Sequence, residues 1–399
     1  MRRALWMFVT LLVWPHESEA GDFDLSGFTG TELRIFVEAP QFPEQFSGPQ
    51  PSFFTSPEFR YRSDEGRDQF SLVPFFRLDA RDDERTHFDL REAYWLRLHE
   101  NWEVLVGFNR VFWGVTESRH LVDIINQIDA VEDIDEEDKL GQPMINVAAQ
   151  QDWGRLSFYV LPGFRERKFP GSAGRLRPAP PVDDDAAEFE SNAKKKHVDF
   201  ALRYSHFVGN WDLGAYYFYG TSRDPVLLPN TDQTRLIPRY DLIHQLGTDV
   251  QFTRGAWLWK FEGSVRKGHA DGETFGAFVG GFEYTLFQIL DSAADLGLLT
   301  EYLYDGRDQT NSPFTAFDDD IFVGTRLALN DEKDTQALVG VVVDREDGTT
   351  LLSIEAERRL SERWKAELVS RWFFNVQKGD PLIGFRDDSF ITLRLLYFL

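Results

Sequence analysis

The chain has 399 residues, a formal net charge of −23 and 27% charged side chains, yet it is 15% aromatic and has no cysteine. After the first twenty positions no run of eighteen apolar residues occurs, so helical membrane spans are excluded, and so is a disulfide framework. A hydrophilic average says nothing against a membrane β-barrel, because alternate side chains of its strands face lipid and water and each strand scores near neutral.

In chain order, "MRRALWMFVTLLVWPHESEAGDF" comes first. Arg2 and Arg3 precede an apolar stretch from Ala4 to Trp14, and Ser18-Glu19-Ala20 offers a small-x-small cleavage site before Gly21. The expectation is a secretory signal peptide over residues 1–20 and a single outer-membrane domain over 21–399.

From Thr31 onward the apolar period is two. Strands are predicted near 29–38, 52–62, 69–80, 87–99, 102–113, 144–152, 154–162, 196–208, 211–221, 241–253, 256–267, 273–287, 295–305, 319–330, 335–345, 349–360, 364–376 and 388–399, about eighteen, with sixteen as the alternative count. In "AWLWKFEGSVRKG", Trp257, Trp259, Phe261, Gly263 and Val265 fall on one face and Lys260, Glu262, Ser264 and Arg266 on the other. "HVDFALRYSHF" sets Val198, Phe200, Leu202 and Tyr204 against Asp199, Arg203 and Ser205. A β-sandwich also alternates, so alternation alone does not choose between a core and lipid.

The connections decide it. After even-numbered strands they are short ("HEN", "QDWG", "VGN", "TRG", "LSER"), and after odd-numbered strands they are usually longer, as at 39–51, 114–143, 163–195 and 222–240. Outer-membrane barrels have this asymmetry, with short periplasmic turns and long outer loops. Five short turns lead at once into Trp: Trp102, Trp153, Trp211, Trp257 and Trp364. All five belong to one end, where amphipathic indoles would form a periplasmic aromatic girdle. The last strand, "DSFITLRLLYFL", puts Ile391, Leu393, Leu395, Tyr397 and Leu399 on one face, with Thr392 and Arg394 opposite. It is expected to pair with the first strand, because an open edge in hydrocarbon costs several kcal/mol per unpaired group.

One segment departs from period two. In "TESRHLVDIINQIDAVEDIDEEDKLGQ", Leu121, Ile124, Ile125 and Ile128 recur at helical spacing amid acids. The expectation is a short helix that packs its apolar stripe on the inner wall and narrows the pore, with Asp123, Asn126, Asp129, Glu132, Asp133, Asp135 and Glu136 at the constriction. Alternation assigns Arg77, Arg97, Arg203, Lys260, Glu262, Arg266, Glu301, Arg326 and Arg394 to the lumen wall. An acidic loop facing a basic wall would set up a transverse field favouring polar or charged solutes; the alternative is that these charges pair and fill the lumen. The fold class is therefore all-β, a transmembrane antiparallel up-and-down β-barrel with one long inward-folding loop containing a short helix.

"EAYWLRLHENWEVLVGFNRVFWG", "VDIINQID", "EDKLGQPMINV" and "LPGFRERKFPG" together resemble an uncharacterised porin-like outer-membrane family, distantly related to alginate-export porins. The shared features are a strand ending in Trp113-Gly114 and an Asp-x-x-Asn-Pro-x-Asp-like segment, here Asp123, Asn126 and Asp129, with Gln127 where the pattern has Pro. The resemblance implies a barrel and brings no catalytic residues and no solute.

Three functions compete: an outer-membrane channel for diffusion or export of polar or charged solutes, a structural or adhesive barrel with a plugged lumen, and a barrel lipid enzyme. The last needs a nucleophile beside a base. Ser205 and His206 adjoin in sequence and so point to opposite faces, and no G-x-S-x-G elbow occurs. A channel without enzymatic activity, metal or cofactor is expected in the outer membrane of a Gram-negative cell. Its expected partners are outer-membrane lipid and lipopolysaccharide, the barrel-assembly machinery during insertion, a polar solute and an inner-membrane transport component, with no nucleic acid.

Overall fold

A computed structural model describes residues 21–269, 272–308 and 312–399, so the expected signal peptide lies outside the described residues. Eighteen strands form one barrel: β1 (Asp22–Phe36), β2 (Gln50–Arg62), β3 (Asp68–Asp79), β4 (His87–Leu98), β5 (Trp102–Asn109), β6 (Gln142–Gln151), β7 (Gly154–Pro162), β8 (Val198–Val208), β9 (Trp211–Thr221), β10 (Leu242–Arg254), β11 (Trp257–Lys267), β12 (Thr274–Leu286), β13 (Asp295–Asp305), β14 (Asp319–Ala328), β15 (Gln336–Asp344), β16 (Thr350–Arg359), β17 (Trp364–Phe374) and β18 (Phe390–Phe398). Each pairs antiparallel with the next, and β18 returns to β1 in register from Phe28↔Phe398 to Phe36↔Phe390. Eighteen, not sixteen, is the strand count, and the closing strand is the one the sequence marks.

The barrel is apolar outside and polar within. Along β11, Trp259, Phe261 and Val265 are exposed on the outer face, while Glu262 and Arg266 are buried and Lys260 is nearly so. β8 repeats this with Phe200 and Leu202 outside and Asp199 inside, and β14 with Ile321 and Val323 outside. Exposed apolar side chains on every other position are what a lipid-facing band requires. Trp102, Trp153, Trp211, Trp257 and Trp364 all stand at the short-turn rim, 40–52% exposed. Their rings rest on neighbours there, Trp211 on Phe252 at 4.4 Å and Trp364 on Tyr397 at 5.1 Å.

Four features differ from the sequence expectation. β1 starts at Asp22, and its first residues pair with β2 alone, Asp22↔Arg62 through Gly27↔Pro57. β5 stops at Asn109, where the chain turns inward. A β-bulge interrupts β3–β4: Val73 pairs with Glu92 and Pro74 with Leu90, leaving Arg91 as the extra residue. Beyond it the parity reverses, so Arg97 lies opposite Asp68 on the same face as Trp95 and the exposed Phe70. Arg97 is thus on the outer face at the short-turn rim, ion-paired to Asp68 at 3.5 Å, and does not line the lumen. Lastly, residues 114–143 contain no helix; helix among the described residues is limited to short 3-10 turns. At the long-loop end, Glu188–Phe189, Val226–Pro229 and Leu236–Tyr240 form a small separate sheet.

Candidate functional site

The 110–141 segment folds into the barrel in two limbs, and the wall supplies the partners that a helix would have drawn from its own backbone. On the first limb the Val115 and Thr116 N–H groups donate to Glu262 Oε1 at 2.7 and 3.0 Å, and Val122 N–H donates to Oε2 at 3.2 Å. Glu117 and Ser118 N–H donate to the two oxygens of Glu301, each at 2.8 Å. Charge-assisted bonds to a buried carboxylate are stronger than amide–carbonyl bonds, and the Asp- and Ile-rich sequence has low helix propensity. Both effects favour the irregular path. Gly114, at φ 153°, lets the wall come close: a Cβ there would sit 2.8 Å from His120 Nδ1 and 3.1 Å from Glu262 Oε1. The apolar stripe is nonetheless buried as the sequence implies. Val122, Ile124 and Ile125 pack with Trp113, Met144, Tyr159, Leu161, Tyr216, Phe218 and Ile243, so the lumen beside β6–β10 is filled.

The second limb is held by arginines. Arg77 donates to both oxygens of Glu132 at 2.7 and 2.5 Å, and Arg91 donates to Asp129 at 2.6 Å. Arg85 donates to the Val131 carbonyl at 2.8 Å and to Glu32 at 2.8 Å, and Arg34 donates to the Glu132 carbonyl at 3.1 Å. Asn126 closes the base, accepting from Val111 N–H at 2.9 Å and donating to the carbonyls of Asn109 and Leu140 at 2.9 and 2.8 Å. Carboxylates withdrawn from water are stable only with such partners. His87, Asp129 and Glu132 bring ligand atoms within 4.8 Å of one another, but Arg91 and Arg77 already occupy these carboxylates, so the group reads as an ion-pair cluster.

What stays open lies between the loop tip and strands β14–β17. A cavity of ≈ 710 Å³ on the long-loop side and one of ≈ 380 Å³ on the short-turn side share a rim of Glu117, Asp133, Asp135, Glu137, Arg326, Leu338, Glu355 and Arg371. Arg371 bridges the loop to the wall, donating to Asp135 at 2.9 Å and reaching Glu355 at 2.7 Å. Arg326 donates to Glu117 at 2.6 Å and lies 3.8 Å from Glu283. In the lower cavity Glu357 and Glu367 share Lys365, at 2.5 and 2.9 Å. Enclosure and the neighbouring Asp133 push the Asp135 carboxyl up to about 7, and enclosure with Glu132 pushes Asp138 up to about 6. For His120, enclosure opposes charge, but Glu137 at 2.8 Å and the carboxylate of Glu262 at 3.7 Å prevail and raise it to about 10.

Of the expected constriction residues, Asp133 and Asp135 stand on the shared rim and Glu136 lines the upper cavity. Asp123, Asn126, Asp129 and Glu132 do not reach the passage: Asp123 pairs with Lys139 at 3.3 Å, and the other three are held as described. Of the expected wall, Arg326 borders the passage and Arg394 the lower cavity. Glu262 and Glu301 hold the loop, and Lys260 backs Glu117 at 3.5 Å. Arg77 holds Glu132 and Arg266 holds Asp224 at 3.0 Å, while Arg203 pairs with Asp249 at 2.8 Å. The sequence reading missed Glu117, Arg371, Glu355, Glu357 and Glu367. The last three were within reach of it, since "TLLSIEAERRL" and "WKAELVSRW" alternate as β11 does.

No protein-family model matches the chain, and no curated protein sequence matches it. Solved structures with the same fold include a BenF-like porin from Pseudomonas fluorescens (TM-score 0.54, 10% identity, covering 96% of this chain and 99% of that one). They also include OccK11 (OpdR) of Pseudomonas aeruginosa (0.52, 10%, 97% and 99%). A third is Wzi, described as a carbohydrate-binding outer-membrane β-barrel involved in group 1 capsule assembly in Escherichia coli (0.52, 12%, 94% and 84%). At these identities the likeness is one of fold, that of outer-membrane β-barrels.

Proposed function

We propose that the protein is an outer-membrane channel of a Gram-negative cell, through which polar or charged solutes cross. The observation that carries this reading is a pair of cavities that share one charged rim, with the inward loop tied back to the opposite walls. A plugged barrel would have no use for leaving the β14–β17 side open while filling the β6–β10 side with aromatic rings. In this reading the tryptophan rim faces the periplasm, the long loops face outward, and the partners are outer-membrane lipid, lipopolysaccharide and the barrel-assembly machinery. Kinship with porin-like proteins distantly related to alginate-export porins, on the Tyr94 to Arg177 stretch, belongs to the same reading. The test is conductance of the purified protein in planar bilayers. Stepwise currents are expected; a protein that inserts without conducting belongs to the plugged, structural class, and phospholipid hydrolysis would revive the enzyme.

A further inference from the structure

Resting on that reading, we propose that the solute selected by this passage is an organic cation bearing an apolar body. Two independent features of the passage converge on it.

The first is charge. Of the five rim carboxylates, Asp133 lies 3.7 Å from Arg34 and Glu137 2.8 Å from His120, which leaves Glu117, Asp135 and Glu355 facing the guanidinium groups of Arg326 and Arg371. Two cations are each divided between two acids, Arg371 between Asp135 and Glu355 and, just below, Lys365 between Glu357 and Glu367, whereas Glu117 and Glu283 are matched by Arg326 and Lys260 together. A cation split in this way leaves one negative charge uncompensated per trio.

The second is the surface above the rim. The ≈ 710 Å³ cavity is lined on its long-loop side by Phe314, Phe317, Leu351 and Phe385, and Phe314 keeps 43% of its surface open. A passage for hydrated inorganic ions alone has no need of such a lining. An apolar body gains by leaving water against these side chains, and a cationic head is favoured both by phenyl faces and by the carboxylates below. The order is productive: the body docks in the upper cavity while the head reaches the acids. An anion of the same shape would bring its charge to the acidic rim and be repelled.

The experiment uses the full barrel in planar bilayers under a KCl gradient, with three probes added on the long-loop side. These are benzyltrimethylammonium, tetramethylammonium and benzenesulfonate. Potassium is expected to permeate several-fold better than chloride. At pH 8, removing rim charge with Asp135→Asn or Glu355→Gln should lower the ratio roughly tenfold each, because a unit charge ~6 Å away in a water-like medium is worth about threefold for each ion and acts with opposite sign on potassium and chloride. Benzyltrimethylammonium should block potassium current at a roughly tenfold lower concentration than tetramethylammonium. Chloride passing as readily as potassium, or benzenesulfonate blocking as well as the ring-bearing cation, would overturn the proposal while leaving the channel intact. If no current flows, the channel reading falls, and calorimetric titration of the same probes into the detergent-solubilised barrel still decides the site. Binding of benzyltrimethylammonium in preference to the other two supports it, and equal or absent binding overturns it.

Discussion

Glu262 is the residue on which the inward position of the first loop limb most depends. It is fully buried and takes Val115 N–H, Thr116 N–H and the Thr116 hydroxyl on Oε1, the last at 2.7 Å, and Val122 N–H on Oε2. Glu262→Ala leaves three N–H groups without an acceptor, at about 1–3 kcal/mol each. Water in the lumen satisfies part of this, so the low end, about 3 kcal/mol in all, is the appropriate expectation. That corresponds to roughly a hundredfold rise in the population with the limb released. Glu262→Gln is milder: its carbonyl can keep the Oε1 partners, and only the Val122 bond and the charge facing His120 are lost, about 1.5–3 kcal/mol for a charged hydrogen bond. In single-channel recordings Glu262→Ala should show larger unitary conductance with frequent current steps, and Glu262→Gln a weaker version of the same. Protease sensitivity of the 114–122 stretch in detergent should rise in the same order. An alanine variant with wild-type conductance, noise and protease resistance would refute the claim that the wall carboxylate holds the loop.

Other outcomes follow from the same geometry. Phe261→Arg places a charge midway along the outer face of β11 and should cost about 2–4 kcal/mol of folding stability in lipid vesicles, whereas Gly263→Ser on the same face should cost far less. As pH falls from 8 to 5, Asp135 and Asp138 take up protons near 7 and 6, so the preference of the passage for cations should decline over that interval, read from reversal potentials. The His120 contribution has the opposite sense: its pKa in the folded protein is raised, so the stability it gives the closed loop is complete below about 6.5 and is lost as pH rises through about 10. Current steps should therefore multiply between pH 9 and 11. A fluorophore attached at Arg97→Cys should be quenched by lipid-attached spin labels near the short-turn interface while one attached at Arg203→Cys is not; the reverse would place Arg97 in the lumen. Arg371→Gln frees Asp135 and Glu355 and should raise both conductance and cation preference, whereas Glu355→Gln should lower cation preference; a shift in the same direction for both variants would mean the bridge is only packing.

The strands were legible because β11, β8 and β14 each put large apolar residues on one face and charge on the other, and because the turns kept their parity. Parity failed at Arg97 for a local reason. In "AYWLRL" both faces carry large apolar side chains, Tyr94 and Leu96 inward and Trp95 outward, so nothing in the sequence betrays the bulge at Arg91. In the loop, spacing correctly marked Leu121, Ile124, Ile125 and Ile128 for burial. It misjudged the backbone, because the acceptors that replace a helix ladder, Glu262 and Glu301, lie 140 to 184 residues away along the chain.

The same pairings explain where the opening falls. β1, β3 and β4 present Arg34, Arg77 and Arg91, and these take up the acids of the second limb. β11 and β13 present Glu262 and Glu301, which take up the amides of the first, and β7–β10 present Tyr159, Tyr216, Phe218 and Ile243, against which the apolar stripe packs. The β14–β15 wall differs. Its inward positions include Gly324 and Gly340, with Phe322 lying so flat across them that an added Cβ would meet the ring at 2.7 and 2.4 Å. A wall this thin leaves width. Of the acids beside it, Asp135 with Glu355 and Glu357 with Glu367 each share a single cation, Arg371 and Lys365, so this region has both room for a solute and charge to spare.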